Sequence, residues 1–469
     1  MPGKFEQPRL RDTSSTPPSA SAPITPNPRR RRRRKRRSRV TPAVLIAGIV
    51  MLLLLVLLFT RCGKSDVGQV PGDTLPTATE TIATEAPMEV IATATISAQG
   101  DLLMHRPVMK TCLTEDNTYD FSSLFQYLTP VLAEYDYNIA NLETTLGGPD
   151  YPYQGNPNFN APDSLADDAV EAGFHMLLTG NNHCADTTTA SILRTIEQLR
   201  SRGLTPLGTQ LNDEEPKYEI VEVGGIKIGM VCYTYATSVH NGLPTFNYKF
   251  PVTEYGVVNF FTENELDKLY TELDAILADM EAEGAEATMA FMHWGTEYEI
   301  AENDTQRAIA QKLCDMGVDV IVGGHPHVVQ PMDLLTSTVD STHKTVCIYS
   351  LGNAISNQRI SEMDLKTGHT EDGVIFSVSF EKYSDGSVYV SGTDILPTWV
   401  NYHGNHGYNE YNILPLYDSQ REEWKELFYL SGDQLVGAQN SYERTMAIVE
   451  AGLKECQDYL AQAKAARES

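Results

Sequence analysis

The 469-residue chain is expected to fold as an α/β protein, a layered mixed β-sheet with flanking helices, preceded by a single N-terminal transmembrane helix. Three observations predict this. Short runs rich in Val, Ile and Ala alternate with segments of 3.6-residue apolar period; turns with Gly or polar residues separate them; and one N-terminal stretch of about 20 residues carries no charge. With 41% apolar and 21% charged residues, the composition excludes a wholly disordered polymer and a multi-span membrane protein.

Residues 1–40 read as a basic, unpacked tail: 1–28 are rich in Pro, Ser and Thr, and Arg29 to Arg37 with Arg39 supply ten consecutive or near-consecutive cations. Residues 41–60, TPAVLIAGIVMLLLLVLLFT, match a hydrocarbon core of ~30 Å at 1.5 Å per residue. Only Arg61 and Lys64 follow closely, so the positive-inside bias places the tail in the cytoplasm and the rest of the chain outside the cell. A cleaved signal peptide fits less well, because no A-x-A site follows; a nucleic-acid-binding tail is the other competing reading. Arg61 before Cys62 spoils the small-residue pattern that lipoprotein processing needs. Residues 61–90 form a Pro/Thr/Glu-rich linker.

Charge divides at the same place. Residues 1–64 hold 15 Lys and Arg against 2 acids, and the remainder holds 21 bases against 60 acids. A domain that acidic is no general nucleic-acid binder. Six cysteines from Cys112 onward are widely spaced without a C-x-x-C pair, and buried free thiols are the favoured reading, although an exterior location would permit a bridge.

The main domain is expected over 91–410. Its strand-like runs are 92–98, 137–140, 174–179, 227–234, 287–292, 318–322 and 344–350, and helices are expected over 187–202, 262–283 and 303–316. Asp186 reads as the N-cap of the first helix. Gly224-Gly225 and Asp385-Gly386 read as hairpin turns, with antiparallel strands near 373–400. Residues 411–469 read as a helical C-terminal segment, packed on the domain or forming a small lobe.

Metal-type residues follow the strands: Asp101, then Asn141 and Glu143, then Asn182 and His183, then His293, Trp294 and Glu297, then His325 and His327. In an open α/β sheet, loops beyond the carboxyl ends of the strands converge, so these groups can meet at the rim of one sheet. Oxygen and imidazole donors without thiolates suit Mn, Fe, Zn or Co in an open catalytic site. A pair of divalent ions ~3.5–4 Å apart needs a bridging carboxylate and clamps both attacking and leaving oxygens at phosphorus. Asp101 and Glu143 supply anionic ligands, Asn182, His293, His325 and His327 neutral ones, and His183 is placed to protonate a leaving alkoxide.

The ordered motifs GDLLMH (100–105), NLET (141–144), NNHCAD (181–186), HWGTEY (293–298), GGHPHVVQP (323–331) and YSLGNA (349–354) resemble the CapA family of capsule-synthesis proteins. The resemblance implies a domain related to the calcineurin-like metallophosphoesterases and a part in making or exporting poly-γ-glutamate or a similar anionic capsule polymer. It further implies Asp101, Glu143, Asn182, His293, His325 and His327 as ligands of one or two divalent ions, with His183 as the acid. Two departures stand out. The phosphoesterase signature has a His two residues after its first Asp, where this chain has Leu103, and its bridging Asp is Glu143 here. Asn141, Trp294 and Glu297 are candidate substrate contacts, Trp294 and Glu297 equally readable as packing; His105 reads as structural, and YSLGNA as a loop supporting the site.

Three functional readings follow. The first is a membrane-anchored, extracellular CapA-like protein working with other membrane proteins of polymer synthesis and with the anionic polymer. The second is an active phosphoesterase on another surface substrate, such as a nucleotide or teichoic-type phosphodiester. The third is a non-catalytic scaffold.

Overall fold

The structure is a computed structural model that describes residues 88–247, 256–405 and 408–469. The basic tail, the apolar stretch 41–60 and residues 61–87 of the linker lie outside the described residues. Among the described residues no helix is long and apolar enough to cross a membrane.

Seventeen strands are described, in two main sheets and a small hairpin. They are β1 (Val90–Leu102), β2 (Tyr137–Leu142), β3 (Met176–Leu178), β4 (Thr205–Leu207), β5 (Tyr218–Val223), β6 (Ile226–Tyr235), β7 (Ser238–His240), β8 (Leu243–Thr245), β9 (Phe260–Phe261), β10 (Ala287–His293), β11 (Val320–Gly324), β12 (Met332–Thr336), β13 (Lys344–Ile348), β14 (Asn353–Ile355), β15 (Asp372–Tyr383), β16 (Val388–Asn405) and β17 (Tyr408–Pro415). The first sheet runs β17-β16-β15-β1-β2-β3-β4 with β14 beside β1, and the second runs β12-β13-β11-β10-β6-β5 with β9 beside β6.

Here the expectation of one sheet is corrected. Strands up to β4 join the first sheet and those from β5 to β13, apart from the β7–β8 hairpin, the second, so ligands expected around a single rim come from two sheets. The sequence hides this because strands buried on both faces read as similar apolar runs whichever sheet they enter. The sheets pack face to face: Ile96, Ala98 and Ile139 of one meet Met230, Met289, Phe291 and Val322 of the other in one buried cluster. Period-2 alternation then decides the opposite faces. Ala290 and Met292 turn from that core to the helices Leu266–Ala282 and Asp304–Asp315, and Ala140 and Leu177 face the helix Ser164–Ala172. The layers are helix, sheet, sheet, helix.

The C-terminal region is part of this body. Strand β17 crosses the boundary expected at 410, and residues 88–469 belong to one compact unit. The helix Gly432–Arg467 opens with a capping box between Ser431 and Gln434 and puts Val449, Leu453, Cys456 and Leu460 into the inter-sheet core. Arg444 pins it to β15 through Asp372, at 2.8 and 2.6 Å. All six described cysteines are buried and free, as expected.

Candidate metal centre

Parallel pairing aims the site residues at one place. β1, β2 and β3 are mutually parallel in the first sheet, as are β10 and β11 in the second. Asp101 lies near the end of β1, Glu143 one residue past β2, Asn181 to His183 in the turn after β3, His293 at the end of β10, and His325 and His327 just past β11. Close backbone contact holds the junction. Gly100 lies so near Gly352 that a Cβ there would sit 1.8 Å from the Gly352 carbonyl oxygen, which accepts from the Asp101 N–H at 3.1 Å. His325 and His327 flank Pro326 with φ of +95° and +57°. Side chains seldom tolerate that left-handed backbone, and such strain collects where orientation matters.

Two clusters of potential metal ligands result, and they share one residue. Asp101, Glu143 and His327 form one; Glu143, His293 and His325 form the other; within each, the donor atoms lie within 4.8 Å of one another and all are buried. In the second cluster His293 Nε2 lies 2.7 Å from Asn182 Oδ1, 3.2 Å from His325 Nδ1 and 3.5 Å from Glu143 Oε1. In the first, His327 Nδ1 lies 3.0 Å from Asp101 Oδ2 and its Nε2 lies 3.9 Å from Glu143 Oε1. All six expected ligands therefore converge.

The electrostatics ask for a cation. Burial, reinforced by Asp101, pushes the Glu143 carboxyl well above its ordinary range, and its Oε1 has no hydrogen-bond partner. Burial works to raise Asp101 too, but the hydrogen bond and charge of His327 hold it below the usual carboxylate value. Burial drops His293 to about 3 and His325 well below its usual value, so both rings are neutral at physiological pH. The buried Glu143 with its orphaned oxygen, facing the neutral rings of His293 and His325, fits a divalent ion, which would satisfy donors that the protein leaves unpaired.

His183 stands beside this centre. Its Nδ1 lies 2.7 Å from Asp186 Oδ2, and its ring packs edge-on to Phe159 with centroids 4.7 Å apart. Asp186 is thus not the expected N-cap: Thr188 caps the helix by accepting from Ser191 N–H, and Asp186 turns back to His183 and to the Phe159 N–H at 2.6 Å. With Nδ1 engaged by a carboxylate, Nε2 is the nitrogen left for chemistry.

Two of the three substrate candidates are corrected. Asn141 is buried, donates to Asp101 Oδ1 at 2.7 Å, lies 3.5 Å from Glu143 Oε2 and accepts from Asn181, so it orients the carboxylates. Trp294 is buried in the outer core of the second sheet and donates to the Tyr349 carbonyl oxygen. Glu297 is exposed, and its charge adds to the upward push on Glu143. Leu103 is buried and apolar, leaving the first cluster without the extra imidazole, and His105 accepts from the Asn357 N–H as a structural residue. Sequence reasoning missed three neighbours. Tyr235 OH lies 2.7 Å from His325 Nε2, Asn247 donates to the Asn182 carbonyl oxygen at 2.9 Å, and Asn353 Oδ1 lies 3.1 Å from His327 Nδ1.

By fold and site the protein is a two-sheet α/β domain with a shared-carboxylate, metal-type centre at converging strand ends. Residues 95–358 match the family described as bacterial capsule synthesis protein PGA_cap, over half of the chain, and the chain belongs to that family. It is 25% identical over 303 residues to the PGA biosynthesis protein CapA of Bacillus subtilis (strain 168), covering 63% of this chain and 70% of that protein. To the capsule biosynthesis protein CapA of Bacillus anthracis it is 26% identical over 275 residues, 56% of this chain and 60% of that one. A solved structure of the sulfate thiohydrolase SoxB from Thermus thermophilus aligns at 14% identity with a TM-score of 0.34, covering 70% of this chain and 46% of that one.

Proposed function

We propose that this capsule-synthesis protein is anchored in the cell membrane by residues 41–60, faces outward from about residue 61, and acts on a phosphoryl-containing substrate during production or export of an anionic capsule polymer. The observation that carries the chemical part is Glu143, whose unpartnered Oε1 is common to both ligand clusters. Divalent ions held there, Mn, Fe, Zn or Co, would supply Lewis acidity toward a phosphoryl group and acidify water. The chain's own residues do the rest. Asp101, Glu143 and His327 hold one position; Glu143, Asn182, His293 and His325 hold the other; Asn141 fixes the carboxylates; and His183, oriented by Asp186, delivers a proton to the leaving oxygen.

Polymer contact must overcome the domain's negative charge. Arg106 and Lys110 are exposed on a cleft of about 600 Å³ shared with Tyr402 and Asn409, and among the described residues neither pairs with an acid. His105, next to Arg106, packs edge-on to Phe159, which packs in turn on His183. On this reading Arg106 and Lys110 offer the polymer a cationic foothold that is linked to His183 through His105 and Phe159.

The test joins chemistry to biology. The full chain, analysed for bound metal, should hydrolyse a generic phosphodiester, and His183→Ala should reduce the rate by about 10²–10⁴-fold. In a capsule-deficient deletion strain, wild type should restore polymer and His327→Ala should not. Restoration by both would favour a scaffold, and hydrolysis without any capsule defect would favour another surface phosphodiester.

A further inference from the structure

The YSLGNA motif gains no role from the chemistry above, yet its Asn353 is fully buried against the first ligand cluster. β14 runs parallel to β1 with Asn353 in register with Asp101. The Asn353 amide can face only one way. Its Nδ2 meets three oxygens, the His327 carbonyl at 3.2 Å, Gln358 Oε1 at 2.9 Å and the Thr370 carbonyl at 2.9 Å. A flipped amide would set oxygen against all three, so the network itself directs Oδ1 at His327 Nδ1, 3.1 Å away.

That nitrogen has a second suitor. Asp101 Oδ2 lies 3.0 Å from the same Nδ1, while Nε2 of the ring looks toward Glu143 Oε1. One N–H cannot serve two acceptors fully. If it goes to Asp101, the carboxylate's charge is spent on the imidazole; if it goes to a neutral amide, Asp101 Oδ2 stays available to a cation.

We propose that Asn353 is the positioning residue of the Asp101/Glu143/His327 cluster: it takes the His327 Nδ1 proton, aims Nε2 at the bound ion and releases Asp101 as a ligand. This rests on the two-ion reading given above. The need is specific to this cluster, because Leu103 leaves it with three protein donors. Outer partners of metal-bound histidines typically act in this way. The second cluster has no such dependence, since its His325 is held by Tyr235 instead.

The experiment titrates the full-length, metal-stripped protein with Mn²⁺ against a fluorescent chelator and follows, separately, the His327 Nδ1 proton in ¹⁵N-histidine-labelled, metal-free protein. Asn353→Ala should weaken one class of Mn²⁺ sites by about 10–100-fold and leave the other in place; His325→Ala should weaken the opposite class. Gln358→Ala, which removes one oxygen that pins the amide, should weaken the same class as Asn353→Ala by a smaller factor. The Nδ1 proton should move downfield in Asn353→Ala as the carboxylate becomes its sole acceptor. Unchanged Mn²⁺ classes, equal weakening of both, or an unmoved proton would overturn the assignment. A wild-type protein that takes no Mn²⁺ would instead sink the two-ion reading, and the proton signal would still decide the role of Asn353.

Discussion

Glu143 and His105 show how burial sets residue behaviour in this protein. With Glu143 buried beside Asp101, a setting that pushes its carboxyl well above the ordinary range, Glu143→Gln should stabilise the metal-free protein. The same change should abolish stabilisation by added Mn²⁺; denaturant titrations with and without the ion check both. For His105, burial lowers the pKa from 6.5 to about 4. The unfolded chain therefore binds the proton first, and the neutral ring's contribution is present above pH ~6.5 and lost as pH falls toward ~4, on the order of 3 kcal/mol at most. Wild type should lose more stability than His105→Phe across that window, and parallel curves would contradict it. Residue types at strand ends pointed in the sequence to the side chains that converge on the two candidate clusters. Asp186 did not show its role, because an acid three residues after His183 and just before a helix reads equally as a cap, and Asn353 was invisible because its meaning lies in contacts with residues 26 positions back and 17 ahead.

At the scale of elements, the expected helices over 187–202, 262–283 and 303–316 appear as Thr189–Arg200, a 3₁₀ turn followed by Leu266–Ala282, and Asp304–Asp315. Apolar period and glycine stops located them well. Both hairpin turns also formed, at Gly224-Gly225 between β5 and β6 and at Asp385-Gly386 between β15 and β16. Pairing partners were not readable, since adjacency in a sheet depends on long-range contacts that leave no local period. The C-terminal helix illustrates packing against propensity. Gly452 sits mid-helix, where Ala is worth ~1 kcal/mol more by propensity alone. A Cβ there, however, would lie 1.9 Å from the Met332 carbonyl oxygen of β12. Gly452→Ala should thus destabilise by about 1–3 kcal/mol, the usual range for overpacking, with a lower denaturation midpoint; a higher midpoint would mean the helix can shift away from β12.

Taken whole, the molecule joins its two sheets in two ways, by the apolar core between them and by the site at their shared edge. Asp101, Glu143 and Asn182 come from the first sheet, and His293, His325 and His327 from the second. Each proposed ion position draws ligands from both, so an ion bound there cross-links the layers and binds only the folded state. Such linkage adds RT ln(1 + [L]/Kd), ~2.7 kcal/mol at a hundredfold excess over Kd. Chelation should lower the thermal midpoint of the full chain, and Mn²⁺ should restore it with a dependence on the logarithm of free ion. Asp101→Asn should remove only part of that gain, because it touches one position, whereas Glu143→Gln should remove nearly all of it. A midpoint indifferent to chelation, in a protein with ion bound, would show that the apolar core alone holds the sheets and that the site is a passenger on a finished fold.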